Sequence, residues 1–282
     1  MEGHVWVIVE ELLLAVQSRP KRCRYSDGEI LRVSIWAILH DRPVSWACRE
    51  ENWPAKLRPD RLPDGSTVSR RWKRAALQYQ AQRLHELGVD RLGETSRYAI
   101  VDGRPLPVGG CSKDPDARPG RSAGGMGKGY KMHTLVSLKH AILAYEIRPM
   151  NEAEQTVALE LVARVPHRVL RVLGDGIYDS IRLHRRMENA GKKLYTPIRK
   201  GRVGRRQQPR RLQLLRLTQR PIGCRLLKLR DEVERAFAQE SNVAIGFKGL
   251  PAWARRSHRV HRWMWGKNLL HNAWLLFRLK AA

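Results

Sequence analysis

The chain has 282 residues, enough for two domains with a sizeable core, and 54 Lys and Arg against 27 Asp and Glu leave a net charge of +27. A surplus that large repels itself unless a polyanion neutralises it, and its Arg-rich runs suit bidentate phosphate contacts, so nucleic acid is the expected partner. Cys23, Cys48, Cys111 and Cys224 form no CxxC pair and no run of about 18 apolar residues occurs, which excludes a zinc ribbon, a disulfide framework and a membrane span, and points to a reducing cytoplasm.

Residues 1–95 read as helical. Glu10 and Glu11 interrupt the first apolar run, so it does not read as a signal peptide. Ser26-Asp27-Gly28-Glu29 is a capping-box pattern ahead of Ile30, Leu31, Val33, Ile35 and Leu39 on one apolar side. Residues 45–52 read as a short helix ended by Trp53-Pro54. Turn chemistry at Leu62-Pro63-Asp64-Gly65 precedes Ser66 or Thr67, either of which would cap a longer helix reaching about Leu87. Its first two turns carry Arg70, Arg71, Lys73 and Arg74, which resembles a helix-turn-helix reader, although the spacing is generic and a solvated face also explains it.

From Tyr98 the pattern alternates. Strands are expected at 98–101, 131–138 and 141–149, a helix at 152–165, a strand at 167–174, a helix at 179–190, a strand at 193–199 and helices from about 210. A Gly, Asp and Ser-rich loop is expected over 109–129. Three early strands pair as a meander, and strands separated by helices run parallel. This order predicts an α/β fold, a ribonuclease H-like mixed five-stranded sheet flanked by helices. The expected division is a helical accessory or DNA-binding region at 1–95 and a catalytic domain with a helical C-terminal segment at 96–282.

Asp102 follows an apolar strand and precedes Gly103; Asp175 follows another and precedes Gly176. Carboxylates at neighbouring strand ends, with glycine leaving room, supply the oxygen ligands that a hard divalent cation requires. A turn former or helix cap explains either Asp taken singly. Glu234 borders the apolar stripe of Leu226, Leu229, Val233 and Phe237, and from the residues alone an ordinary i,i+4 ion pair with Arg230 accounts for it. His133 reads as structural. Between Pro197 and Asp231 there are 12 basic residues and no acidic one, which suits a phosphate-contacting track.

The runs Val101-Asp102-Gly103-Arg104-Pro105-Leu106, Lys128-Gly129-Tyr130-Lys131-Met132-His133 and Leu173-Gly174-Asp175-Gly176-Ile177-Tyr178-Asp179-Ser180 resemble the DDE transposases of bacterial insertion sequences. Arg230 and Glu234, separated by three residues, are similar to that family's third signature, and Asn268-Leu269-Leu270-His271-Asn272 to its closing segment. The resemblance implies Asp102, Asp175 and Glu234 as catalytic residues and as ligands of two Mg²⁺ (or Mn²⁺) ions, with Arg230 orienting Glu234. It implies strand cleavage at element ends, then transfer of the 3′-hydroxyl. The partners would be double-stranded DNA, both terminal repeats and target, and a second copy of the chain, in a bacterial nucleoid. Phosphate contacts are expected from Arg70, Arg71, Lys73, Arg74, Arg199, Lys200, Arg202, Arg205, Arg206, Arg210, Arg211, Arg235 and Lys248. Leu227 and Ser241 stand where the family often has Tyr and Lys, and Glu154 where it usually has Asp. These departures keep a decayed or domesticated copy that only binds DNA as the alternative, with a nuclease on the same fold as a third reading.

Overall fold

The computed structural model describes residues 2–16, 23–93, 95–122, 124–197, 209–241 and 249–281. In chain order the first helices are α1 (Glu2–Leu13), α2 (Asp27–Leu39), α3 (Val44–Ala47), α4 (Gly65–Arg71) and α5 (Ala75–Arg91). Strands β1 (Tyr98–Pro107), β2 (Arg118–Ser122), β3 (Gly125–Ser137) and β4 (Ile142–Pro149) follow, then α6 (Glu154–Leu161), β5 (Arg171–Leu173), α7 (Ile181–Asn189) and β6 (Lys193–Tyr195). The chain ends in α8 (Pro209–Thr218), α9 (Pro221–Lys228), α10 (Glu232–Ser241) and α11 (Ser257–Ala281). These elements form two compact units, Met1–Gly93 with Glu240–Ala282, and Glu94–Gln239.

The first unit is helical. Its α2 starts at the expected capping box: the Glu29 amide donates to Ser26 Oγ at 3.1 Å, and the Ser26 amide to Glu29 Oε2 at 2.6 Å. The single helix expected to about Leu87 is two. Asp64, rather than Ser66 or Thr67, caps α4 by accepting both of their amides. The chain turns after Arg71 because two adjacent side chains are drawn inward. Arg71 pairs with Asp27 and donates to the Tyr25 carbonyl, and Trp72 Nε1 donates to Ser34 Oγ at 2.8 Å.

The helix α11, which falls in the helical C-terminal segment of the sequence reading, packs among α1, α2 and α5. Trp263, Leu269 and Leu270 are fully buried, Trp265 Nε1 donates to the Ala81 carbonyl at 2.8 Å, and a Cβ at Gly266 would fall 2.5 Å from Ile38 Cδ1. Lys267, Asn268, His271 and Asn272 are buried beside these apolar side chains, so the middle of α11 is enclosed on all sides, which helices on several sides provide.

The second unit holds the sheet. Its β1 runs antiparallel to β3 and β3 to β4, whereas β1, β5 and β6 are parallel. The order β4-β3-β1-β5-β6 is the expected ribonuclease H-like arrangement, and β2, paired with the start of β3, brings the sheet to six strands among the described residues, where five were expected. The extra pairing lies in the stretch read as a loop. Glycine there permits close backbone approach: a Cβ at Gly120 would meet the Met150 carbonyl oxygen, and one at Gly129 the Leu106 carbonyl oxygen, both at 2.3 Å.

Candidate active site

Parallel pairing between β1 and β5 ends where Ile100 stands beside Leu173. Asp102 and Asp175 each lie two residues further on, so both carboxylates emerge just past the end of the parallel β1–β5 pairing. Open α/β sheets place ligands at such crevices. Asp102 is not at the end of its own strand as expected, because β1 continues along β3 to Pro107. Both Asp side chains are half-buried. The Gly103 amide donates to Asp102 Oδ1 at 2.8 Å, and the Ile177 amide to Asp175 Oδ1 at 2.8 Å.

Glu234 is exposed on α10, whose Val233, Ala236 and Phe237 are buried. Two residues that the sequence did not single out dock this helix. Arg104 lies on the Asp102 face of β1, with its guanidinium over the Phe237 ring, 5.4 Å from the centroid. His140, at φ 71 in the β3–β4 turn, puts Nε2 2.8 Å from Glu232 Oε2 and Nδ1 2.7 Å from Gln239 Nε2. Arg230, half-buried in the 3-10 turn Leu229–Asp231, makes no ion pair with Glu234.

Burial pushes the Asp102 carboxyl up to about 6, against the Gly103 hydrogen bond, and the negative charges of Asp175, Glu234 and Glu154 push it the same way. The three carboxylates therefore share one electrostatic field with Glu154. Among the described residues, neither Asp102, Asp175 nor Glu234 has a Lys or Arg within ion-pairing distance. Glu154 does: Lys131 Nζ lies 2.7 Å from its Oε1, and the Tyr178 hydroxyl donates to its Oε2 at 3.0 Å. Among the described residues, no group of three or more His, Cys, Asp or Glu is arranged to hold a metal ion. The triad shares a field but not a coordination sphere. His133 is fully buried on the opposite face of the sheet from Asp102, and burial pulls its pKa down to about 4, which leaves a neutral core imidazole.

Two arginines expected to meet phosphate are internal. Arg71 is buried in its pair with Asp27, and Arg211 is buried with Nε and Nη2 2.7 and 2.5 Å from the two Asp179 oxygens. A guanidinium spent on a buried carboxylate is not available to DNA. Arg70, Lys73 and Arg74 are exposed, as is Arg235, which pairs with Glu232 at 2.5 Å. Arg210 falls in the first turn of α8. Arg199, Lys200, Arg202, Arg205, Arg206 and Lys248 lie outside the described residues. The sequence reading missed Arg182, Arg185 and Arg186, exposed on α7 along a groove of about 480 Å³ that Leu159 and Ala163 also line. Their alternation with the buried Leu183, His184 and Met187 was the available sign.

The strand order, with two carboxylates just past the β1–β5 pairing, is that of a ribonuclease H-like unit. A model of the transposase DDE domain matches residues 94–273, more than half of the chain. The chain belongs to that transposase family. No curated protein matches it significantly. No helix among the described residues is long and apolar enough to cross a membrane.

Proposed function

We propose that this transposase cleaves DNA at the ends of a mobile element and joins the freed 3′-hydroxyl to target DNA, with divalent cations, Mg²⁺ or Mn²⁺, held by Asp102, Asp175 and Glu234. One observation carries this reading: in a chain of net charge +27, three carboxylates share a field and none of them has a cationic partner among the described residues. Such repulsion is costly unless a cation relieves it, and an all-carboxylate donor set suits a hard cation. Two bound ions would activate the attacking oxygen and stabilise the departing one.

The chain's own residues prepare that site. The Gly103 and Ile177 amides each engage one oxygen of Asp102 and Asp175, leaving the second free to coordinate. Glu234 joins by movement of its exposed side chain, with Arg230 and Arg235 nearby on the same segment. Arg70, Lys73 and Arg74 in one unit, and Arg182, Arg185 and Arg186 in the other, bind the DNA backbone by charge. A second copy of the chain would hold the second element end.

The test is a supercoiled plasmid carrying the coding sequence with its genomic flanks. Wild-type protein should nick it with Mg²⁺ and leave it intact with a chelator, and Asp102→Ala, Asp175→Ala and Glu234→Ala should each abolish nicking while DNA affinity stays. A second reading, a copy that binds ends without cutting, draws on Leu227, Ser241 and the exposure of Glu234. Wild-type protein that binds the plasmid and never nicks it would establish that second reading.

A further inference from the structure

We infer that Glu154 and Gln155, which open α6, are positioning residues for Asp175. The sheet holds Asp175 weakly, because β5 has only three residues and its pairing with β1 and β6 ends at Leu173. Beyond that point Asp175 is fixed by its own cap on the 3-10 turn Gly176–Tyr178, through the Ile177 amide. Consecutive side chains of α6 grip this turn. Gln155 Nε2 donates to the Ile177 carbonyl at 2.5 Å, and Glu154 Oε2 accepts from the Tyr178 hydroxyl at 3.0 Å. Gln155 thus holds the same residue whose amide holds Asp175. These side chains are not occupied in capping their helix, since Ala153 starts α6 with no side-chain cap.

The clamp also reaches the neighbouring strands. The other Glu154 oxygen takes Lys131 from β3 at 2.7 Å, in a pair whose side chains are 14% and 9% exposed. That pair crosses β1 at Gly103, where a Cβ would sit 3.0 Å from both Glu154 Oε2 and Lys131 Cδ. Tyr178 itself is fully buried and lies against Gly174, where a Cβ would come within 3.1 Å of its ring. Glu154 therefore ties β3, across the residue next to Asp102, to the turn that carries Asp175. Its function is to set the spacing between the two carboxylates.

The inference rests on Asp175 being catalytic, so the experiment has one arm that does not need catalysis. Hydrogen exchange of the full chain, free of metal and DNA, is followed at the Ile177 and Tyr178 amides in wild type, Gln155→Ala and Tyr178→Phe. Both variants should melt close to wild type yet exchange about tenfold faster at the turn, because local opening is governed by such contacts. In the plasmid assay their cleavage rate should fall about 10–100-fold at unchanged DNA affinity, the range typical of lost outer-shell support. Because Glu154→Gln leaves a buried ammonium unpaired, it is paired with Lys131→Met in a double variant, which should show the same two effects. Exchange at the turn equal to wild type in all three folded variants would overturn the clamp. Wild-type protein that cuts no DNA would overturn the catalytic reading alone, since exchange still decides whether the clamp exists.

Discussion

Asp102 is the residue at which stability and the proposed function oppose each other. Its carboxyl ordinarily titrates at 3.8, and burial with neighbouring negative charge raises it to about 6 in the fold. Between those values the folded chain holds a proton that the unfolded chain has released, so stability falls as pH rises through roughly 4 to 6, by about 3 kcal/mol in all. Asp102→Asn should therefore melt higher than wild type at pH 7.5 without metal, and lose that advantage below about pH 4, while being inactive in cleavage. Scanning calorimetry checks this, and a variant that melts lower at pH 7.5 would contradict the electrostatic account. Arg211 gives the reverse prediction. Its removal strands Asp179, buried beside His184, and Arg211→Ala should cost about 3–5 kcal/mol in urea unfolding. The salt dependence of DNA binding should not change with it.

Docking of α10 determines whether Glu234 can serve the crevice. His140 bonds Glu232 and Gln239 along one side of that helix, so His140→Ala should speed amide exchange throughout α10, with a loss of about 1–2 kcal/mol. Unaltered exchange there would show that Arg104 and the buried Phe237 suffice. Elements also show where sequence reading succeeds. The α2 capping box and the strand-Asp-Gly settings of Asp102 and Asp175 were legible because each is a local pattern within a few residues. The break between α4 and α5 was not, because it depends on Ser34 and Asp27, far away in sequence. β2 was hidden by its glycine-rich neighbourhood, since low β-propensity reads as loop whatever the packing requires. α11 was expected only as one of the helices after about residue 210, because the sequence does not say which elements bury it. Glu234 was singled out only through the Arg-x3-Glu resemblance. The Lys131–Glu154–Tyr178 network joins three separate elements, so no spacing announces it.

At the scale of the whole molecule, the charge of +27 sets the terms of binding. Each phosphate contact releases counterions, so duplex affinity should fall steeply with salt, by a logarithmic slope of about 0.9 per contact. Replacing Arg70, Lys73 and Arg74 together by Ala should reduce that slope by roughly 2–3, and so should replacing Arg182, Arg185 and Arg186, whereas Arg71→Ala should destabilise the fold and leave the slope alone. Filter binding across salt concentrations separates these outcomes. Diffraction at the manganese absorption edge, from crystals grown with Mn²⁺, tests most directly whether the three carboxylates converge on divalent metal. The predicted result is anomalous density within coordination distance of Asp102 and Asp175, with the Glu234 side chain turned in to meet it. Manganese bound elsewhere, or none at the crevice of a protein that still cleaves DNA, would contradict the account.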